Sequence, residues 1–431
     1  MEQMNVSKGK IILAYSGGLD TTVAIPWVKE KYGYESVACL VDVGQTEDLK
    51  QAKERALEAG AVEALVVEAG ETFAKNYILP SLAANGLYEG KYPLVSALSR
   101  PIIAKALVEA AKRFKAVAVG HGCTGKGNDQ VRLDVSLAAL APDLAIVAPA
   151  REWGMSREET MAYGRAHGLK LEAKKTAYSI DANLWGRSIE CGVLEDPYVE
   201  PPGDAYQLTC DPEKAPGTPE YLEIEFERGA PVALDGKALA LTDLIRALNG
   251  KAGAHGVGRI DMVENRLVGI KSREVYECPA AVVLIEAHRD LESLVLPREL
   301  LHYKTGVDQK YAEMIYYGLW FHPLREALQA FLAETQKRVS GTVRVKLFKG
   351  ASRVVGRKSP YSLYQHQLAT YDRGDAFNHQ ASLGFIELWG LNAKLYGVCG
   401  RAAQVPGNGN GGAKGAPFKE ESPVGEAALV R

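Results

Sequence analysis

The segment KIILAYSGGLDTT (Lys10 to Thr22) constrains this chain more than any other. Residues 10–15 read as a buried strand, Gly17 and Gly18 as a turn, and residues 19–31 as a helix. A strand that turns on glycine directly into a helix is the opening of a βα unit. Such units build parallel sheets covered on both faces. The N–H groups of the helix's first turn have no intrahelical partner and point at any anion placed there. Ser16, Thr21 and Thr22 add hydroxyls. Asp20 would repel a polyphosphate unless Mg²⁺ lay between them. Pro26 falls inside the expected helix, where its missing N–H predicts a kink.

The βα rhythm continues. Val37 to Val43 reads as a strand, Asp48 to Ala59 as a helix stopped by Gly60, and Ala64 to Glu68 as a strand. Residues 100–114 read as a helix with Ser99 as its cap and Pro101 in its first turn. Ala116 to Val119 and Leu144 to Ala148 complete an N-terminal sheet. Beyond about residue 170 the beat is lost. A Pro-, Gly- and Asp-rich stretch, Glu195 to Pro219, reads as a long connection, and YLEIEFE (221–227) alternates as a half-buried strand does. Residues 281–296, 308–338 and 342–348 add helices and strands of an α+β domain. Residues 376–397 form an amphipathic helical stretch. The run GNGNGG lies in a tail of disordered composition. The expected architecture is therefore α/β: a parallel-sheet nucleotide-binding domain (1–170), a substrate domain (171–373), a C-terminal helix (374–400) and a flexible tail (401–431).

A second glycine loop, GHGCTGKGNDQVR (Gly120 to Arg132), follows the Ala116–Val119 strand. Gly120, Gly125 and Lys126 match the phosphate loop G-x-x-x-x-G-K-[ST], but Gly127 stands where that motif needs a Mg²⁺-binding hydroxyl. Two readings therefore stay open: phosphoryl transfer on this loop, or a nucleotide whose phosphates sit on the first. Lys plus Arg number 51 against 53 Asp plus Glu. That near balance gives no electrostatic reason to expect nucleic acid or a membrane surface as partner. The six cysteines are scattered without a C-x-x-C pair, so neither a zinc site nor a disulfide framework is signalled. The polar start MEQMNVSKGK and the short apolar run after it do not read as a signal peptide. No apolar stretch approaches the roughly 20 residues that span a bilayer. A cytoplasmic enzyme is expected.

The S-G-G-L-D-[ST]-[ST] loop resembles the pyrophosphatase loop of the N-type ATP pyrophosphatases, whose fold is adenine nucleotide alpha hydrolase-like. Within them, H-G-x-T-G-K-G-N-D-Q-V-R resembles the argininosuccinate synthases. So do YEGKY (88–92) before SALSRP, YSIDANLWGRSIECGVLEDP (178–197), HGVGRIDMVENRLVGIKSREVYE (255–277) and KYAEMIYYGLWFHPLREAL (310–328). The related GMP and asparagine synthetases carry a glutaminase Cys, and tRNA-thiolating enzymes carry paired cysteines. Neither pattern stands out here.

The resemblance implies ligation of citrulline to aspartate through citrullyl-AMP, with ATP split to AMP and pyrophosphate. By the same resemblance, ATP is held by Ala14, Tyr15, Ser16, Gly17, Gly18, Leu19, Asp20, Thr21 and Thr22, with the Val41 backbone against adenine and Gly122 near the nucleotide. Citrulline is placed on Tyr92, Asn128, Arg132, Ser179, Ser188, Glu264 and Tyr276. Aspartate is placed on Thr124, Asn128 and Asp129, with Ser96 beside it. Asp20 and Asp129 are the expected catalytic carboxylates. Mg²⁺ rides on the ATP phosphates and Asp20. A homotetramer is the implied assembly. Ala97 departs from the family's usual serine beside citrulline, Thr22 replaces a serine, and Pro26 is not part of the usual helix.

Overall fold

The computed structural model describes residues 8–45, 48–171 and 178–403. The polar N-terminal start up to residue 7 and the tail beyond 403 lie outside the described residues. So do residues 46–47 and 172–177, the latter just past the expected boundary between residues 170 and 171. The chain divides into two units, Met1–Tyr364 and Gln365–Arg431.

The first unit opens on β1 (Lys10–Ala14), α1 (Leu19–Tyr32), β2 (Glu35–Asp42), α2 (Leu49–Glu58) and β3 (Glu63–Glu68). It continues through the Val95–Phe114 helix, β4 (Ala118–Gly120), the Asn128–Leu140 helix and β5 (Ala145–Val147). The five strands form one parallel sheet in the order β3-β2-β1-β4-β5. Six consecutive residues of β2 are buried, as a central strand covered on both faces requires. Ile12, Val37 and Cys39 pack into the large core. Ile11, Leu13, Ala38 and Leu40 face a smaller one beneath α1 and α2. The chain moves outward from β1 to β3, then returns to the other side of β1 for β4. That reversal opens a crevice between β1 and β4 at their carboxyl ends, the usual ligand position in such sheets.

Two local expectations differ from the structure. The helix expected from residue 100 begins at Val95, after Leu94 in the left-handed region at φ 65. Val95, Ala97 and Leu98 are buried, so packing extends the helix one turn and a half beyond its apparent cap. Ser99 is not a cap; its hydroxyl donates to the Ser96 carbonyl at 2.9 Å, and Pro101 sits inside the helix. α1 runs from Leu19 to Tyr32 with Pro26 inside it. The buried Thr22, Val23, Ala24, Ile25 and Val28 hold its inner face.

The rest of the first unit carries β6 (Ser179–Asn183), β7 (Gly186–Glu190), β8 (Glu220–Glu227), β9 (Ala230–Leu234), β10 (Lys237–Ala238), β11 (Arg259–Asn265), β12 (Lys271–Glu277), β13 (Gly341–Phe348) and β14 (Ala351–Lys358). β11-β12-β7-β6 form one antiparallel sheet, which brings site residues toward the crevice. β10-β9-β8-β13-β14 form another. The Pro279–Val295, Arg298–Tyr316 and Pro323–Thr335 helices pack into the same core.

In the second unit the expected single helical stretch is two helices, His379–Trp389 and Leu391–Ala403, divided at Gly390. Glycine is the weakest helix former after proline, and the break falls on it. Phe385, Leu388 and Trp389 are exposed. No helix among the described residues is long and apolar enough to cross a membrane.

Candidate functional site

The first glycine loop joins β1 to α1. Tyr15 N–H donates to the Cys39 carbonyl at 3.0 Å, the last rung toward β2. Gly17 then turns at φ 76, where a Cβ would come within 2.9 Å of the Arg55 guanidinium and 3.2 Å of the Ala52 methyl. The positive φ favours glycine, and the Ala52 methyl leaves little room for a side chain. Gly18 opens α1 in an extended conformation, with no side chain capping the helix, so the first-turn N–H groups stay available to an anion. The hydroxyls of Thr21 and Thr22 donate back to the Gly18 carbonyl at 3.2 and 2.8 Å. Tyr15 Oη lies 2.9 Å from Thr22 Oγ1. Burial pushes the Tyr15 phenol up, against the opposing effects of Thr22 and Arg55. Tyr15 and Thr22 thus brace the loop from behind.

The second loop leaves β4 beside the first. A Cβ on Gly122 would lie 2.9 Å from Thr21 Cγ2 and 3.8 Å from Asp20 Cβ, so the two loops touch at the sheet's switch point. His121 Nδ1 accepts from Cys123 N–H at 3.2 Å, which leaves Nε2 to donate to Asp134 at 2.7 Å. Gly127 is the extended N-cap of the Asn128–Leu140 helix and again brings no side-chain cap. Thr124 stands exposed at the loop's outer end.

That helix carries the buried Asn128 and Arg132 and the half-buried Asp129 into one cluster. Both oxygens of Asp129 are engaged, one with Arg100 at 2.7 Å and one with Arg132 at 2.9 Å. Burial alone would raise the Asp129 carboxyl, but the two guanidiniums outweigh it and hold it well below the usual carboxylate range. Arg100 also grips Asp181 of β6 at 2.5 Å. Arg132 is 3% exposed. Its Nε donates to the Tyr316 carbonyl at 2.9 Å, and its guanidinium lies 4.7 Å from that ring's centre. Its Nη2 is buried without a hydrogen-bond partner among the described residues. An unsatisfied buried guanidinium nitrogen costs stability and marks a place where an anionic ligand would settle.

Tyr316 is the hub of the opposite wall. Its hydroxyl donates to Glu264 at 2.6 Å and accepts from Asn128 at 2.8 Å. Tyr276 donates to the other Glu264 oxygen at 2.8 Å and stacks on Tyr92, with ring centres 4.3 Å apart. Burial raises Glu264, with the two tyrosine hydroxyls opposing it. Ser188 pairs with Tyr276 in register and lies 3.2 Å from Ser96, hydroxyl to hydroxyl. Ser96 N–H in turn donates to the Tyr92 hydroxyl at 2.9 Å.

The structure therefore brings Tyr92, Ser96, Asn128, Asp129, Arg132, Ser188, Glu264 and Tyr276 into one network. Ser179 opens β6 two residues from Asp181, hence on the same strand face. Val41 lies in β2, and its carbonyl accepts from Gln45. The sequence reading assigned no role to Arg100, Asp181 or Tyr316. All three sit in matched segments, SALSRP, YSIDANLWG and MIYYGLW, yet none is distinctive by type. Only the fold shows that they converge.

Family models match nearly the whole of the folded chain. Residues 10–170 match the arginosuccinate synthase N-terminal HUP domain, and residues 178–396 match the arginosuccinate synthase C-terminal domain. The argininosuccinate synthase of Oceanobacillus iheyensis is 58% identical over 392 residues, 91% of this chain and 94% of its own. That of Bacillus pumilus is 59% identical over 397 residues, 92% and 98%. The Bacillus subtilis protein of the same name is 58% identical over 397 residues, again 92% and 98%. The chain belongs to the argininosuccinate synthase family.

Proposed function

We infer that the chain joins citrulline to aspartate, splitting ATP to AMP and pyrophosphate, as an arginine-biosynthetic ligase. The ureido oxygen of citrulline attacks the α-phosphorus and pyrophosphate leaves. The aspartate amine then attacks the activated ureido carbon and AMP leaves. No protein nucleophile is required, so rate comes from positioning and from donors aimed at developing charge. One observation carries the reading: two glycine loops, each opening an uncapped helix, touch at one switch point. One helical turn beyond the second lies the unpartnered Arg132 Nη2.

In this reading Ala14 to Thr22 hold the triphosphate. Arg132 pairs with the citrulline carboxylate, and Glu264 accepts from its N–H groups among Tyr92, Asn128, Ser179, Ser188 and Tyr276. Thr124, Asn128, Asp129 and Ser96 serve aspartate. Mg²⁺ would neutralise the phosphates. Asp20, in the first turn of α1 and close to Gly122, is a fitting single carboxylate for an ion that takes most of its ligands from phosphate and water. With Mg-ATP, citrulline and aspartate, AMP and pyrophosphate should form in equal amounts. ADP and phosphate would instead support phosphoryl transfer on the second loop.

Tyr316→Phe tests the wall. It removes a donor to a buried carboxylate, worth roughly 1.5–3 kcal/mol, so the KM for citrulline should rise about ten- to a hundredfold. An unchanged KM would remove Tyr316 from citrulline recognition.

We place the enzyme in the cytoplasm, which suits its six free thiols, and propose a homotetramer. Exposed Leu383, Phe385, Ile386, Leu388 and Trp389 on one short helix support assembly, since such a face needs a covering surface. Truncation after Arg373 should dissociate the oligomer in light scattering, whereas truncation after Val405 should not. A tetramer surviving the first cut would refute this role.

A further inference from the structure

Along β2, backbone groups alternate between the two neighbouring strands. Cys39 C=O accepts from Tyr15 on the β1 side, and Asp42 C=O accepts from Ala69 on the β3 side. β1 ends at Ala14, paired with Cys39. Val41 and Val43 therefore turn their backbone groups to the β1 side, beyond the last residue with which β1 pairs. Val43 C=O is occupied by Leu184 N–H at 2.9 Å. On the same side lie an acceptor, Val41 C=O, and a donor, Val43 N–H, two residues apart. The Gln45 carboxamide takes both: its Nε2 donates to Val41 C=O at 2.9 Å and its Oε1 accepts from Val43 N–H at 2.8 Å.

A carboxamide offers an N–H donor beside an acceptor. Adenine offers the same pair, with the 6-amino group as donor and N1 as acceptor. Hypoxanthine and guanine reverse it, with a 6-oxo acceptor and an N1–H donor. The backbone pair is rigidly set. Gly44 turns at φ 88, a Cβ there would come within 2.8 Å of Leu184, and Gly44 N–H is held by Asp42 at 2.8 Å.

We propose that the Gln45 carboxamide, seated on Val41 C=O and Val43 N–H, is a built-in placeholder for the adenine that the ATP reading sets against this stretch of backbone. The proposal rests on the ATP reading above and adds to it a competing internal ligand. With no nucleotide bound, Gln45 satisfies two polar groups that would otherwise be left on an unpaired strand end. When ATP arrives, Gln45 gives way to a base of like hydrogen-bonding sense. A base of opposite sense meets acceptor against acceptor and donor against donor, which a fixed site rejects strongly.

Calorimetric titration of ATP, without citrulline, into wild type, Gln45→Met and Gln45→Ala tests this. Loss of the competitor should tighten ATP binding about tenfold in both variants, the order of one or two net hydrogen bonds. ITP should bind wild type and variants at least about a hundredfold more weakly than ATP. Both variants should melt below wild type without nucleotide, and the difference should vanish at saturating ATP. Unchanged or weaker ATP binding, with a melting difference that persists at saturation, would overturn the placeholder and leave Gln45 as a brace of its turn. Equal binding of ITP and ATP would overturn the backbone reading. A wild type that gives no ATP binding at all would refute the underlying nucleotide assignment, and so is distinguishable from failure of the placeholder alone.

Discussion

Glu277→Ala is expected to lower the stability of the first unit by about 3–5 kcal/mol, the cost of leaving a buried partner charge uncompensated. Glu277 is the last residue of β12 and is fully buried. It faces Arg187 of β7 in register and forms a buried ion pair with it. Its carboxylate also accepts from the backbone N–H groups of Gln207, Leu208 and Thr209 and from the Thr209 hydroxyl, at 2.8–3.0 Å. One side chain thus ties the long Glu195–Pro219 connection to the sheet that carries Ser188, Glu264 and Tyr276. Thr209 in turn receives Arg259 through its hydroxyl and carbonyl. Alanine would strand Arg187 and four further donors. Glu277→Gln keeps the volume but points N–H groups at N–H groups, so it too should be strongly destabilising. Urea titration checks both, and a loss below about 1 kcal/mol for Glu277→Ala would refute the anchor.

Asp129→Ala is expected to reduce both half-reactions, by two orders of magnitude or more. The resemblance alone placed Asp129 on aspartate, which would spare the first step. The geometry makes it also the counter-ion of two guanidiniums, those of the half-buried Arg100 and the buried Arg132. Arg132 is the group we assign to citrulline. Without Asp129, Arg132 loses its orientation before any adenylate forms. Citrulline-dependent exchange of labelled pyrophosphate into ATP should therefore fall together with product formation. Thr124→Ala is the contrast: exposed at the loop's outer end, it should raise the KM for aspartate about tenfold and leave exchange intact. Normal exchange in a folded Asp129→Ala protein would confine Asp129 to the second step.

Much of this was legible before any coordinates. Strand, glycine turn and helix follow one another within thirteen residues from Lys10, and the positive φ at Gly17 is one that glycine adopts most readily. The parallel sheet follows because alternating apolar strands and helices have few other ways to bury their faces. The matched loops carried the reaction class, since phosphate-binding backbone is local in sequence. Boundaries that depend on packing were not legible. The Val95–Phe114 helix ignores its apparent serine cap and a proline because its first turn is buried. A single C-terminal stretch breaks at Gly390.

The sequence by itself determined the α/β class, both loops and most of the polar residues placed around them, because these are set by local backbone chemistry and residue type. Tertiary structure alone decided which of those residues meet. It recruited Arg100 from the long helix, Asp181 from β6 and Tyr316 from a helix end nearly two hundred residues from Asn128. It tied up both oxygens of Asp129, and it left one nitrogen of Arg132 without a partner among the described residues. The reason is that hydrogen bonds and ion pairs in a buried site are satisfied across distant elements. Their accounting closes only once the sheets and helices have docked.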